Sequence, residues 1–238
     1  MIDNEAARLL RDIREEVIGL LFNRYVFRTH QEIVRQNPSL QGRPRIIFAQ
    51  WGWTVYAVAN SIGVRRLAGE SFKDGEVNLV RLLDLLIRNP ANLWPRFEEC
   101  YPDEAVSART AIPAKSRNLE SGWEVGACKR LLCEDRTRLI NAAKKASRFA
   151  NKRAAHSVPG AEVSTSFSDL DQAIDTLVQL TEKYTRLTEN DIELLQEMKS
   201  RKLPEGWDSI FLEAWATPEV LALNLGETRP PDKKRRPR

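Results

Sequence analysis

The spacing of apolar residues is the feature of this chain that most limits its fold. Between residues 4 and 36, apolar side chains recur every three or four positions, as they do on one face of a helix. The same spacing returns along most of the sequence, and no alternation of apolar and polar residues is long enough to build a sheet. Glycine (11) and proline (12) are few among 238 residues. The pattern therefore predicts an all-α fold.

Prolines, glycines and capping residues divide this pattern into helices. The predicted helices cover residues 4–36, 45–67, 76–88, 91–101, 127–157, 166–187, 188–199 and 203–216. Between them, 102–126 is weakly patterned and contains Pro113 and Gly122, which predicts a loop. The second helix carries Trp51, Trp53 and Tyr56, which cannot share one helical face. We therefore expect that helix to be covered on more than one side, in the centre of a bundle.

Charge and hydropathy suggest the domain organisation. The net charge is only +4, and much of the excess lies in the last few residues. Such a segment cannot bury apolar area, so we expect one helical domain over 1–218 and a basic, disordered tail over 219–238. The most apolar stretch, 51–64, is too short to span a bilayer, and the start of the chain does not resemble a signal peptide. The prediction is a cytoplasmic protein without a membrane segment.

Cysteine and histidine usage argues against metal or cofactor chemistry. Cys100, Cys128 and Cys133 form no CxxC pair, and the chain has only two histidines, so we expect reduced thiols, no metal site and no cofactor. Glycine-rich phosphate loops, GxSxG and HExxH are absent from the sequence. His30, on a polar part of the first helix, is expected to have a surface or structural role.

His156 differs from His30 in its surroundings. Lys145, Arg148, Lys152 and His156 are spaced by three, four and four residues, which places them in one stripe along a helix. An alanine-rich face on another side of the same helix is expected to be buried and to leave this basic stripe outward.

Two further side chains belong to this neighbourhood. Arg153 lies three residues before His156, within its reach. Asn151 lies further round the helix and needs a bend or a second chain to join the same site.

The composition of this stripe suits metal-free RNA cleavage. Neighbouring cations lower the pKa of a histidine, so that it is neutral and can accept a proton at neutral pH. The same cations can hold a phosphate and stabilise the charge that develops on it. The alternative is a basic, solvated helix end that happens to finish in a histidine.

Several phrases of the sequence resemble one protein family. Residues 148–156, RFANKRAAH, resemble the signature of the HEPN superfamily, helical-bundle proteins of toxin–antitoxin, abortive-infection and RNA-processing systems. Other features resemble the abortive-infection U-type branch of that superfamily. They are the helix over 48–66 that ends in VRRL, the segment NLVRLL at 78–83, and the late Trp207 and Trp215. These features follow one another in the order of a single domain over roughly residues 5 to 216.

The resemblance implies a HEPN-like antiparallel bundle of about four core helices with additional short helices. It also implies a homodimer with a shared cleft, a cognate antitoxin or other defence-system partner, and endoribonuclease activity without metal. His156 is then the family histidine and acts as general base or acid. Arg148, Lys152 and Arg153 would hold the scissile phosphate, Asn151 would orient the site, and Lys145 would add to RNA binding.

One position departs from the family pattern, which is an arginine, four to six residues of which the first is often polar, and a histidine. Asn151 fits the polar place, but Ala150 stands where the arginine is expected. Arg148 lies too far from His156 to replace it, and Arg153 lies too near.

Three functions therefore stay open. The first is a toxin-like ribonuclease in phage defence or a toxin–antitoxin system. The second is a degenerate module that binds RNA, nucleotide or a partner through the same stripe without cleavage. The third is an interaction protein that uses Trp207 and Trp215.

Overall fold

A computed structural model describes residues 4–36, 43–70, 73, 75–111, 122–154, 165–188 and 193–200. Every regular element in these ranges is helical, which confirms the predicted all-α class. The helices are α1 (Asn4–Gln36), α2 (Arg43–Ala68), α3 (Leu79–Arg88), α4 (Trp94–Cys100), α5 (Pro102–Thr110), α6 (Trp123–Phe149), α7 (Phe167–Thr188) and α8 (Leu194–Ser200). A 3₁₀ turn occupies Pro90–Asn92, and a π turn follows α6 at Ala150–Ala154.

The chain divides into two compact units. The first unit comprises residues 1–25 and 54–201, and the second comprises 26–53 and 202–238. The division therefore falls within α1 and within α2. The predicted helix over 203–216 and the predicted boundary at 218 lie outside the described residues.

Two antiparallel helix pairs build the first unit. Arg66 of α2 pairs with Glu16 of α1, and Gly63 of α2 faces Leu20 of α1, so sequence numbers rise on one helix as they fall on the other. The α6–α7 pair shows the same relation, since Asp135 meets Tyr184 and Lys145 meets Asp169. The core between the helices contains fully buried side chains: Ile13, Ile18, Leu67, Leu79, Leu82, Leu83, Leu93, Trp94, Leu139, Leu170, Ile174 and Tyr184.

Asn78 fixes the junction between α2 and α3. Its Oδ1 accepts a hydrogen bond from the backbone N–H of Arg81, which caps α3. Its Nδ2 donates to the carbonyls of Arg66 (2.8 Å) and Gly69 (3.1 Å) at the end of α2. Asn78 is 1% exposed. Its hydrogen bond to Arg66 therefore connects the NLVRLL segment, at the start of α3, to the VRRL segment at the end of α2.

The prediction of a loop over 102–126 is wrong for part of that range. Pro102 opens α5, where its missing N–H costs nothing, and two acidic residues occupy the first turn. Ala105 and Ala108 are the buried residues of this helix. In addition α6 starts at Trp123 rather than at 127, and the Trp123 ring packs edge-on against Trp94 with centroids 5.5 Å apart.

The prediction that the aromatic residues of α2 pack in a core holds for only one of the three rings. Tyr56 is buried in the first unit and lies against Phe167, with ring centroids 5.9 Å apart. In the second unit Trp53 is half-buried, and Trp51 is 60% exposed. Ile62 is also exposed. The expectation that α2 is covered on more than one side is therefore wrong at Trp51 and Ile62.

Candidate RNA-binding site

The C-terminal part of α6 has one buried face and one exposed face. Ala143, Ala146 and Ala150 are at most 1% exposed. Arg148 and Lys152 are exposed. The structure thus confirms the burial of the alanine face as far as Ala150 and the outward position of Arg148 and Lys152, while His156 lies outside the described residues.

The helix changes its hydrogen bonding where the candidate site begins. The prediction of a continuous α-helix to 157 is wrong over Ala150–Ala154, which form a π turn, and residues 155–157 lie outside the described residues. On an α-helix, residues four apart differ by about 40° around the axis. A π turn has more residues per turn, so this angle is smaller where the chain passes through Ala150–Ala154. Such turns occur often at functional sites.

The described cations of the stripe differ in their pairing. Among the residues that the structure describes, Arg148 and Lys152 have no carboxylate within salt-bridge distance. Lys145, in contrast, donates to Asp169 Oδ1 at 2.8 Å. Asn151 is exposed within the π turn. His156 lies outside the described residues, and the structure describes the backbone of Arg153 but not its side chain.

Asp169, the partner of Lys145, also caps the start of α7. Its Oδ2 accepts hydrogen bonds from the backbone N–H and the hydroxyl of Ser166, and its own N–H donates to Ser166 Oγ. This reciprocal arrangement satisfies two backbone donors at the helix start. The bond from Lys145, followed by those from Ser166, lowers the pKa of Asp169 to about 2. The charge of Lys145 is therefore neutralised in this structure.

The stripe extends further toward the start of α6 than the sequence interpretation placed it. Arg138 and Asn141 precede Lys145 by seven and four residues, which continues the three-and-four spacing. With Ala142 they line a groove of about 640 Å³ between α6 and α7. The α7 side of this α6–α7 groove consists of Ser168, Asp171, Gln172, Asp175, Thr176 and Gln179. The spacing alone was enough to identify Arg138 and Asn141, but the groove itself needed the position of α7.

Position 150 belongs to the core rather than to the site. Ala150 is 0% exposed and lies on the same face as Ala143 and Ala146. The position at which the resemblance leads us to expect an arginine is therefore part of the core.

A second cluster of ionisable groups lies inside the first unit. Lys183 Nζ is 2.9 Å from Asp135 Oδ2 and 2.7 Å from Glu104 Oε2, and it lies over the rings of Phe97 and Tyr101. Burial acts to lower the pKa of Lys183, but the two carboxylates outweigh it and the pKa is raised. Since these groups satisfy one another, the cluster joins α4, α5, α6 and α7 and offers no free group to a substrate.

An open cleft of about 820 Å³ lies elsewhere in the first unit. Its charged lining residues are Glu16, Arg65, Arg66, Glu70, Lys73 and Glu76. Arg66 is paired with Glu16, and Glu76 accepts a hydrogen bond from the backbone N–H of Lys73. Three carboxylates thus oppose three cations, so this cleft has no excess positive charge for a phosphate.

Within the described ranges, no three His, Cys, Asp or Glu side chains come close enough together to hold a metal ion. None of the described helices has an apolar run that is long enough to cross a membrane. Comparison with protein-family models, with curated proteins and with solved structures finds no match to this chain.

Proposed function

We propose that this protein is a HEPN-type, metal-independent endoribonuclease that acts as a toxin-like effector in phage defence or in a toxin–antitoxin system. The observation that carries the proposal is the pair of exposed cations without carboxylate partners, Arg148 and Lys152, just before His156 in the sequence. In the proposed HEPN-like bundle, the antiparallel pairs α1–α2 and α6–α7 supply the four core helices.

The chemistry needs a base and a positively charged surface. Neutral His156 takes the proton of a ribose 2′-hydroxyl, the 2′ oxygen attacks phosphorus, and the bond to the 5′ oxygen breaks. The products are a 2′,3′-cyclic phosphate and a 5′-hydroxyl, which receives a proton. Arg148, Lys152 and Arg153 stabilise the additional charge on the phosphate oxygens, and Asn151 orients the phosphate.

The test is RNA cleavage by the purified protein in the presence of EDTA. We expect wild type to cleave and His156→Ala to lose about 100-fold or more of the rate. Lys129→Ala is the control for removing the cation of Arg148 by substitution with alanine. Lys129 is an exposed cation on the same helix, about 28 Å from Arg148 along the axis. Equal rates for wild type and His156→Ala would refute the enzymatic proposal.

A second candidate is a degenerate HEPN module that binds RNA, nucleotide or a partner protein without cleavage. The burial of Ala150 favours it, because no arginine stands at the family position. This candidate predicts salt-sensitive RNA binding that survives His156→Ala and weakens with Arg148→Glu or Lys145→Glu. Unchanged binding in both charge reversals would contradict it.

The proposed setting is the cytoplasm, with a homodimer that places two copies of His156 at one cleft and a cognate antitoxin that covers it. Light scattering on the purified chain measures the oligomeric state. A monomer at all concentrations would contradict the shared cleft. RNA binding by a single chain would still be tested by the cleavage and binding experiments above.

A further inference from the structure

The α6–α7 groove contains uncommitted hydrogen-bonding groups at the end of the basic stripe. Arg138 donates to the side-chain oxygen of Gln179. Asp171 and Asp175 lie 3.8 and 2.6 Å from Arg24 of α1. These four groove residues are therefore already occupied.

Two amides remain, one on each wall of the groove. Among the described residues, the side chains of Asn141 on α6 and Gln172 on α7 make no hydrogen bond, and both are exposed. Each amide offers an acceptor oxygen and two N–H donors. Each amide can therefore both donate to and accept from the edge of a nucleobase.

We propose that the α6–α7 groove holds unpaired bases of a single-stranded RNA whose phosphates lie on Arg148 and Lys152. This inference rests on the proposed function, since it names the substrate class of the same site. Single-stranded RNA exposes the Watson–Crick edges of its bases to side-chain amides, whereas a duplex hides them. A duplex would offer the groove only backbone and ribose groups.

The charges inside the groove favour bases over phosphates. Asp171 and Asp175 are paired with Arg24 of α1, and Arg138 is bound to Gln179, so the described lining has no cation without a partner. A phosphate therefore gains nothing by entering the groove, while Arg148 and Lys152 attract it at the C-terminal end of α6. The backbone and the bases of a bound strand are thus directed to different parts of the stripe.

The length of the stripe sets the size of the ligand. Asn141 and Lys152 are eleven residues apart, which is about 16 Å at the helical rise. At about 3.4 Å per stacked nucleotide, this length accommodates about five nucleotides. Strands shorter than that would occupy either the groove or the cations, but not both.

The experiment is fluorescence anisotropy with labelled oligoribonucleotides of about 12 nucleotides, roughly twice this span, either single-stranded or annealed to their complement. The protein carries His156→Ala so that the RNA stays intact. We expect the single strand to bind more tightly than the duplex. Asn141→Ala combined with Gln172→Ala should weaken single-strand binding about tenfold and leave duplex binding and the salt dependence unchanged.

Arg148→Ala combined with Lys152→Ala is expected to weaken binding of both RNAs and to lower the salt slope by about 1.4, the value for two phosphate contacts on a single strand. Asn89→Ala is the matched amide control. Asn89 is exposed at the end of α3, and the Asp84–Arg136 and Trp94–Trp123 contacts place it beside the N-terminal half of α6.

The two proposals fail in different ways. If neither RNA binds, the proposed function fails. If RNA binds but the amide variant matches the Asn89→Ala control, or if the duplex binds as tightly as the single strand, the proposed function stands and the groove assignment is overturned. Thermal unfolding of each variant confirms that these exposed substitutions leave the fold intact.

Discussion

The hydroxyl of Tyr184 donates a hydrogen bond of 2.8 Å to Asp135 Oδ2 between α6 and α7. The same oxygen lies 2.9 Å from Lys183 Nζ. Asp135 is 8% exposed and Tyr184 is 1% exposed, so one buried carboxylate holds two consecutive side chains of α7. A slip of α7 along α6 would separate these groups and leave buried charge unpaired. The cluster therefore sets the register in which the α6–α7 groove forms.

Removing the cation from this cluster should cost more than removing the hydroxyl. Lys183→Met leaves Asp135 buried without its ion pair, and we expect a loss of about 3 to 5 kcal/mol in the free energy of unfolding. Tyr184→Phe leaves that pair intact and should cost about 1 to 2 kcal/mol. Urea unfolding followed by circular dichroism measures both, with Lys199→Met on the exposed face of α8 as the control. The reverse order of the two losses would contradict this role for Lys183.

Two glycines of the first unit should respond to alanine with opposite signs. A Cβ at Gly63 would lie 2.7 Å from Leu20 Cδ2, inside the contact between α1 and α2. We expect the strain of fitting this methyl group to exceed the gain in helix propensity, so that Gly63→Ala lowers the unfolding free energy by about 1 kcal/mol. No described atom lies within 4 Å of a Cβ at Gly19, so Gly19→Ala should raise it by about 0.5 to 1 kcal/mol. The same denaturation measurement compares them, and a stabilising Gly63→Ala would show that Leu20 moves freely.

The burial of His30 predicts a loss of stability in mild acid. His30 is 6% exposed beside Gly52, and burial lowers its pKa below the usual 6.5. As the pH falls below about 6.5, the unfolded chain takes up the proton first, and the contribution of His30 is lost as the pH passes through the lowered pKa. The difference in unfolding free energy between wild type and His30→Gln should therefore shrink from about pH 7.5 to about pH 5.5. A difference that stays constant would contradict the lowered pKa.

The ion pair between Lys145 and Asp169 predicts unequal contributions to RNA binding. Because Asp169 neutralises Lys145, Lys145→Ala should weaken binding less than Arg148→Ala. Asp169→Asn should release the lysine, strengthen RNA binding and raise the salt slope by about 0.7 on a single strand. Anisotropy titrations at several salt concentrations measure both effects. Weaker binding by a folded Asp169→Asn variant would argue against Lys145 as part of the RNA-binding stripe.

Placing at position 150 the arginine of the HEPN pattern should damage the fold rather than raise RNA cleavage. Ala150 is 0% exposed, so Ala150→Arg forces a long charged side chain into the alanine face. We expect a loss of about 3 kcal/mol or more in unfolding free energy and no gain in RNA cleavage. Asn151→Arg, on the exposed side of the same turn, is the control and should change stability by about 0.5 kcal/mol or less. Increased cleavage by Ala150→Arg would show that this position can reach the site.

Apolar spacing predicted the helices whose burial is strong and regular. It placed the first helix at 4–36, as observed, and it located α7 within one residue at each end. It missed α5 because that helix buries only Ala105 and Ala108, and small residues give little apolar signal. It misjudged Trp51, since an aromatic residue does not reveal whether another helix covers it.

In the candidate site, features within one helix could be predicted from the sequence, whereas contacts between helices could not. The basic stripe and the alanine face depend only on helical spacing, and both were predictable. The ion pair of Lys145 was not, because its partner lies 24 residues away on α7. Nor does spacing reveal the π turn, since the switch in hydrogen bonding at Ala150 leaves no apolar pattern.

The cysteines of α6 give the molecule a built-in chemical reporter. Cys128 is 1% exposed, and burial raises the pKa of its thiol to about 11, while Cys133, five residues later, is exposed. A thiol reacts with alkylating reagents as the thiolate. Cys133 can therefore be labelled in the native protein at neutral pH, whereas Cys128 becomes reactive only when α6 separates from its neighbours. The ratio of the two labelling rates therefore measures the opening of this helix without an engineered cysteine.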